Sequence, residues 1–150
     1  MFKTHHNNAL NQSHVGQTVR LTGWVAKRRN FGALVFIDLR DREGITQIVI
    51  NETLADSVKE VRSEYLLNVE GEVALRKDPN PKLATGQIEV IASAVTIVNT
   101  AEQTPLLIQD DTDALEDTRM KYRYLDLRRP IMQQRLMQRA KIVRTMRNFL

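Results

Sequence analysis

The side chains of this sequence that could do chemistry are an aromatic ring, an amide and a carboxylate, each on a separate predicted strand. Phe36 can stack on a planar base, a contact worth about 1 to 3 kcal/mol in single-strand binders. Gln47 offers a base edge both a donor and an acceptor, and Glu89 accepts hydrogen bonds from ring or exocyclic N–H groups. The basic run at 27–29 adds charges that would hold phosphates. Together these residue types predict a surface for an unpaired nucleic-acid strand.

Each of these features also has a purely structural explanation. An exposed Phe is usually covered by a loop, a Gln or Glu on a strand is usually solvated, and a short basic run is usually a surface patch. Arg76 and Asn80 are further candidates for the same surface, although a prolyl turn explains Asn80 equally well. The nucleic-acid hypothesis therefore depends on strands that bring the three side chains to one face.

The elements that must position these residues are predicted from hydrophobic periodicity. Five segments show the alternation typical of strands: 18–29, 33–40, 45–50, 67–76 and 87–98. Between the third and fourth strands, residues 53–67 have apolar side chains at helical spacing. Three strands, a helix and two strands is the order of the OB-fold, a five-stranded Greek-key barrel that commonly binds oligonucleotides. We therefore predict a mainly β protein with this barrel, and a different five-stranded barrel is the alternative.

Strand parity predicts which side of the barrel carries the aromatic ring. Phe36, Asp38 and Arg40 alternate with apolar residues of the second strand and are therefore expected on the solvent side. The same argument places Gln47 and Glu89 at outward positions of the third and fifth strands. An aromatic ring, an amide and a carboxylate are thus predicted to share one outer face, although parity alone does not align the three strands.

Charge divides the chain into three parts. The net charge is +1 over residues 1–101, −6 over 102–118 and +9 over 119–150. We interpret 1–101 as the barrel domain, 102–129 as a hinge, and 130–150 as a helix that begins at Pro130 and opens a further domain. Because that helix has apolar residues at spacings of three and four and no capping signal at its end, we expect the chain to continue beyond it.

Composition excludes several function classes. The 150 residues contain no Cys, which excludes disulfides, thiolate metal sites and cysteine nucleophiles. No apolar run approaches the roughly 18 residues of a membrane span and no secretory signal is present, so a cytoplasmic protein is expected. His5, His6 and His14 lie in a polar N-terminus that we expect to be a mobile tail, and no third metal ligand follows at suitable spacing. We predict no catalytic residue, no metal site and no cofactor in this chain.

Three strings resemble the class IIb aminoacyl-tRNA synthetases. KRRNFGALVFIDLRDREGITQIVI at 27–50 and LATGQIEV at 83–90 are similar to the anticodon-binding domain of that family. KYRYLDLRRP at 121–130 is similar to the segment that leads into its catalytic domain. The resemblance extends from about Val15 to Leu150, and it is greatest to the bacterial-type members specific for aspartate.

The resemblance implies roles for individual residues. Phe36 matches the position whose ring stacks on an anticodon base, Gln47 the one that reads the central uridine, and Glu89 the one that faces the first anticodon base. With the other matching positions and the basic run, the candidate anticodon-binding residues are Lys27, Arg28, Arg29, Phe36, Gln47, Arg76, Asn80 and Glu89. Lys27 replaces an arginine often found in the family, which keeps the charge but loses the bidentate fork.

The resemblance also implies a partner and a parent reaction. The partner would be the anticodon stem-loop of aspartate tRNA, and the complete enzyme would be a homodimer that activates aspartate with ATP and Mg²⁺ and then charges the tRNA. The ATP-binding and aspartate-binding motifs of the family would lie beyond Leu150. Two alternatives stay open: an asparaginyl or lysyl member of the same family, and a stand-alone OB-fold protein that binds single-stranded nucleic acid.

Overall fold

A computed structural model describes residues 2–150, which form two compact units, one ending at Gln103 and one spanning Thr104–Leu150. The first unit contains five strands: β1 (Thr18–Phe31), β2 (Leu34–Arg40), β3 (Ile45–Ile50), β4 (Leu66–Leu75) and β5 (Ile88–Asn99). They close into a barrel in the order β1-β2-β3-β5-β4, in which β3 and β5 pair parallel and the other pairs are antiparallel. The predicted OB-fold barrel is confirmed.

The barrel interior is filled by one side of each strand. Val35, Ile37 and Leu39 are buried, as their alternation with Phe36 and Asp38 predicts. The fully enclosed apolar side chains are all aliphatic and come from all five strands and the segment after β3: Val19, Leu21, Val25, Ile37, Leu39, Ile48, Ile50, Val58, Leu67, Val73, Ile88 and Val90. Inward residues of β2 place Phe36 and Asp38 on the outer face, whereas in β3 the alternate residues Gln47 and Val49 are also buried, at 6 and 8% exposed.

The predicted helix over 53–67 is wrong in length. Only Glu52–Ala55 forms an α-helix (α1), followed by a 3₁₀ turn at Asp56–Val58. The segment after that turn is drawn into the barrel, because the Glu64 N–H donates to the carbonyl of Val25 and the Val25 N–H donates to the carbonyl of Tyr65. Helical periodicity therefore correctly predicted buried side chains in this connection, but pairing with β1 replaces the helix.

The predicted exposure of Arg40 is also wrong. Its side chain is 6% exposed and donates to both carboxylate oxygens of Glu64, at 2.9 and 2.7 Å. Glu64 has φ of 66°, in the left-handed region that a non-glycine residue rarely adopts. The segment that replaces the predicted helix thus covers the end of β2, and it buries a charge that strand parity assigns to solvent.

The N-terminal segment is packed on the barrel and is not the expected mobile tail. Leu10 is 1% exposed and belongs to the barrel core. The Asn7 backbone N–H donates to Asp41 at 2.9 Å, and the Asn7 side chain donates to the carbonyl of Leu39 at 2.7 Å. These contacts fix the connection between β2 and β3, and the sequence gives little sign of them because the segment is polar and has no regular period.

The second unit contains α2 (Glu116–Lys121), α3 (Arg123–Asp126) and α4 (Pro130–Phe149), the last beginning at Pro130 as predicted. Leu106, Ile108 and Leu125 form its small apolar core. Most of α4 is exposed, and neither α4 nor any other helix within residues 2–150 is long and apolar enough to cross a membrane. The boundaries predicted for the hinge and the further domain, 102–129 and 130–150, stay predictions.

A buried carboxylate organises this second unit. Asp126 is fully enclosed and accepts hydrogen bonds from Arg119 at 3.0 Å and Arg129 at 2.8 Å, with Arg123 at 3.7 Å. Arg129 also donates to the carbonyl of Gln109 at 3.0 Å. Burial raises the pKa of Asp126, but the hydrogen bonds and charges of Arg119 and Arg129 together outweigh it and hold that pKa below the usual value.

Candidate nucleic-acid interface

The candidate residues are brought together by strand register on the outer face of the barrel. Arg29 of β1 lies opposite Phe36 of β2, and Asp38 of β2 lies opposite Gln47 of β3. Glu89 reaches the same place from β5, because the parallel ladder aligns the adjoining residues of β3 and β5. The alignment that parity alone could not establish is therefore present.

One hydrogen-bond network joins these side chains, and Gln47 is its centre. The amide nitrogen of Gln47 donates to Glu89 Oε2 at 2.8 Å. Its amide oxygen accepts from Arg76 Nη2 at 2.9 Å and from Arg29 Nη2 at 3.2 Å. Arg29 Nη2 also donates to Asp38 Oδ1 at 2.8 Å. We call these five residues, Arg29, Asp38, Gln47, Arg76 and Glu89, the reading network.

The reading network fixes which face of the Gln47 amide is available to a ligand. Guanidinium groups only donate, so the amide oxygen must face Arg29 and Arg76, and both of its lone pairs are used. One N–H of the amide is used by Glu89, which leaves one N–H free. Beside it, the second oxygen of Glu89 is free to accept. The pair therefore offers a donor next to an acceptor, which complements the O4 and N3–H edge of uracil or the O6 and N1–H edge of guanine.

Phe36 supplies the flat apolar surface next to this polar pair. Its ring is partly exposed, and the Arg29 guanidinium carbon lies 6.0 Å from the ring centroid. A base stacked on Phe36 would lie beside Arg29, whose charge adds a cation–π contact to the stacking surface. Stacking and edge recognition are thus available in adjacent positions on β2 and β3.

The three basic residues at 27–29 of β1 point to different parts of the molecule. Lys27 is exposed, and Arg29 belongs to the reading network. Arg28 turns away and donates through Nη1 to the carbonyls of Val58 and Val61, at 2.6 and 2.8 Å. The structure therefore does not bring Arg28 to the reading network, and its guanidinium instead holds the segment that replaces the predicted helix.

Asn80 lies in the loop between β4 and β5 and makes local turn contacts. Its side-chain oxygen accepts from the Lys82 N–H at 3.0 Å, and its own N–H donates to the carbonyl of Gly86 at 2.8 Å. A Cβ on Gly86 would come within 1.7 Å of the Asn80 carbonyl oxygen, so this loop requires glycine there. Asn80 is not joined to the reading network, and the turn explanation given by the sequence describes its contacts.

Sequence reasoning did not select Asp38 as a site residue. The signal was present, because Asp38 shares the outward parity of Phe36 and lies within the same strand. A carboxylate repels phosphate, so an acid on a nucleic-acid surface is unfavourable unless a basic residue neutralises it. That residue is Arg29, which lies next to Asp38 only because of the β1–β2 register. Within residues 2–150, no three His, Cys, Asp or Glu side chains gather as a metal site.

Comparison with known proteins agrees with this geometry. Residues 19–98 match the family described as "OB-fold nucleic acid binding domain", and residues 115–150 match "tRNA synthetases class II (D, K and N)". Aspartate–tRNA ligase of Streptococcus pyogenes serotype M1 is 50% identical over 146 residues, which cover 94% of this chain and 25% of that protein. The chain thus spans about a quarter of the length of the curated relatives it matches.

Solved structures show the same fold at lower identity. An aspartyl-tRNA synthetase from Entamoeba histolytica superposes with a TM-score of 0.89 at 19% identity, over 99% of this chain and 37% of that one. Asparaginyl-tRNA synthetase from Pyrococcus horikoshii, complexed with asparaginyl-adenylate, superposes with a TM-score of 0.72 at 24% identity, over 87% of this chain and 30% of that one. At these identities the structures support the fold alone.

Proposed function

Because the chain belongs to the OB-fold nucleic acid binding domain family and its 50%-identical relatives are aspartate–tRNA ligases, we propose that its barrel reads the anticodon loop of aspartate tRNA. The observation that carries this proposal is the fixed donor–acceptor pair formed by Gln47 and Glu89 beside the ring of Phe36. The aspartate anticodon GUC contains guanine and uracil, whose edges offer an acceptor oxygen (O6 or O4) to the Gln47 N–H and a ring N–H (N1 or N3) to Glu89.

The roles that we propose for individual residues are those implied by the family resemblance, and the contacts of the reading network support them. Phe36 stacks on one anticodon base, and Gln47 reads the central uridine through its free N–H. Glu89 faces the first anticodon base. Arg29 and Arg76 hold the amide in place and supply positive charge near the loop backbone, while Lys27 contributes an exposed charge for phosphate.

The whole-enzyme activity is proposed on the same relationship. We infer that the complete protein is an ATP-dependent aspartate–tRNA ligase that acts in the cytoplasm as a homodimer. Its chemistry would reside in the segments of the relatives that lie outside the matched quarter. The asparaginyl and lysyl alternatives have less support, since the relatives at 50% identity are aspartate–tRNA ligases.

Stem-loop binding tests the proposal directly. Labelled anticodon stem-loops with GUC and with a scrambled anticodon are titrated with the chain at several salt concentrations. Because residues 1–101 carry a net charge of only +1, we expect weak, salt-dependent binding with a clear preference for GUC. Equal affinity for both loops would overturn anticodon reading and favour a general single-strand binder.

A further inference from the structure

We propose that Asp38 is a positioning residue that sets base specificity, because its carboxylate holds Arg29 against the Gln47 amide. The inference rests on the proposed function and deepens it. Asp38 would not touch the RNA base, and it would act only through the orientation of Arg29 and Gln47.

The geometry of one nitrogen atom is the first step. Arg29 Nη2 donates to Asp38 Oδ1 at 2.8 Å and to Gln47 Oε1 at 3.2 Å. The contact to the carboxylate is the shorter and is charge-assisted, so it determines where the guanidinium lies and where the second N–H points. The Asp38 side chain is 21% exposed and that of Arg29 43% exposed, so without the carboxylate Arg29 has room to swing into solvent.

The second step concerns what Gln47 would do without Arg29. With both arginines present, the amide oxygen has both lone pairs occupied and cannot accept from a base. If Arg29 leaves, Gln47 keeps Arg76 as its single donor and one lone pair becomes free. The amide oxygen could then accept a hydrogen bond from the exocyclic amino group of cytosine, which in the intact reading network finds an acceptor only at the free oxygen of Glu89. Asp38 thereby removes the acceptor that Gln47 itself would offer to cytosine.

The third step explains why an acid is present on this surface at all. A carboxylate repels phosphate, so a surface selected only for affinity would not carry one. The reading network contains two arginines and two carboxylates, Asp38 and Glu89, so its net charge is zero, although only Arg29 and Asp38 form a direct ion pair. The carboxylate of Asp38 thus weakens the electrostatic attraction between this surface and the RNA backbone, and in return it fixes the orientation of the Gln47 amide.

The test compares stem-loops that differ only in the central base, GUC and GCC. The preference for GUC is the dissociation constant of the GCC loop divided by that of the GUC loop. For Asp38→Ala we expect this ratio to fall by about three- to tenfold, in line with the loss of one net hydrogen bond. Asp38→Asn keeps the shape and a weaker neutral acceptor, so its ratio should fall between those of the Ala variant and the unmodified chain. Affinity for the GCC loop should rise in both variants, because a negative charge has been removed.

Glu70→Ala is the matched control, since Glu70 is an exposed acid on β4 outside the reading network. It should change affinity for both loops alike and leave the ratio unchanged. If the Asp38 variants behave like this control, the proposal is overturned and Asp38 acts only through charge. If the unmodified chain itself shows no preference for GUC, the proposed function fails, and the role of Asp38 fails with it. Should Asp38→Ala unfold in a thermal melt, the Asn variant decides alone.

Discussion

The reading network on the barrel and the Asp126 cluster in the second unit use the same residue types in opposite ways. Around Asp126, arginines converge on a carboxylate that has no access to solvent, and Arg129 uses further N–H groups on backbone carbonyls. In the reading network, Asp38 and Arg29 are partly exposed and Gln47 is 6% exposed, but Gln47 and Glu89 each keep one hydrogen-bonding group unused. A closed cluster contributes stability, whereas an open one can bind a ligand.

The hydrogen-bond partners of a charged cluster therefore indicate whether the cluster is structural or can bind a ligand. Arg40 and Glu64 resemble the Asp126 cluster, because both are buried and Arg40 donates to both carboxylate oxygens of Glu64. In the reading network, by contrast, only one oxygen of Glu89 accepts from Gln47, and the other is left for a base. Counting charged residues would treat all these groups alike, and only their hydrogen-bond partners separate them.

The largest expected effect tests the closed cluster. Asp126→Asn removes the negative charge and leaves the buried Arg129 with only the exposed Asp110, 4.0 Å away, as a counter-charge. This should destabilise the second unit by about 3 kcal/mol, the low end for breaking a buried ion pair. Hydrogen exchange of the backbone amides in residues 119–133 would measure this local opening. Asp111→Asn changes an exposed acid of the same unit and should leave exchange unchanged. Equal exchange in the two variants would show that the Asp126 cluster contributes no stability.

The next effect tests the open surface. Phe36→Ala should weaken binding of the GUC stem-loop by about 1 to 3 kcal/mol while the barrel stays folded, because the ring supplies stacking and little core packing. Its inward neighbour Ile37 is fully buried, and Ile37→Ala should instead cost about 2 to 5 kcal/mol of stability. Thermal melts and stem-loop titrations on both variants check this. If Phe36→Ala unfolds the barrel, the assignment of faces is wrong.

A smaller effect separates two neighbours of the basic run. Arg28→Ala should lower barrel stability by about 1.5 kcal/mol, because its charged donor satisfies carbonyls of the segment after α1. Arg29→Ala should act mainly on RNA binding and on the GUC to GCC ratio. Melting temperatures and titrations of both variants give the comparison. A binding loss for Arg28→Ala as large as that for Arg29→Ala would place both arginines at the RNA.

The smallest effect is the response of the Asp126 cluster to acid below about pH 4. The pKa of Asp126 is lowered in the folded chain, so the ionised carboxylate stabilises the fold. This stabilisation is complete above the ordinary Asp pKa of about 4 and is lost as pH falls toward the lowered pKa. The difference in local exchange between the unmodified chain and Asp126→Asn should therefore shrink on acidification. A difference that grows as pH falls would contradict the direction of this pKa shift.

Local patterns predicted the barrel well and the ion pairs poorly. Alternation placed Ile37 and Val90 in the core and thereby placed Phe36 and Glu89 outside, since the side chains of a strand have a period of two. The connection after β3 was missed because pairing of Glu64 and Tyr65 with β1 is not a local property. The role of Asp38 was missed for the same reason, because its partner comes from another strand.

The shortest ladder of the barrel is the parallel pairing of β3 and β5, with two residue pairs. The reading network crosses this seam through the bond from Gln47 to Glu89, two residues separated by 42 positions in the sequence. Such a non-local closure forms slowly in folding, since the loop entropy must be lost before the contact forms. If the barrel reads an anticodon as we propose, that ability requires the β3–β5 pairing that brings Gln47 and Glu89 together. A bound tRNA would in turn stabilise the closed barrel relative to the unfolded chain.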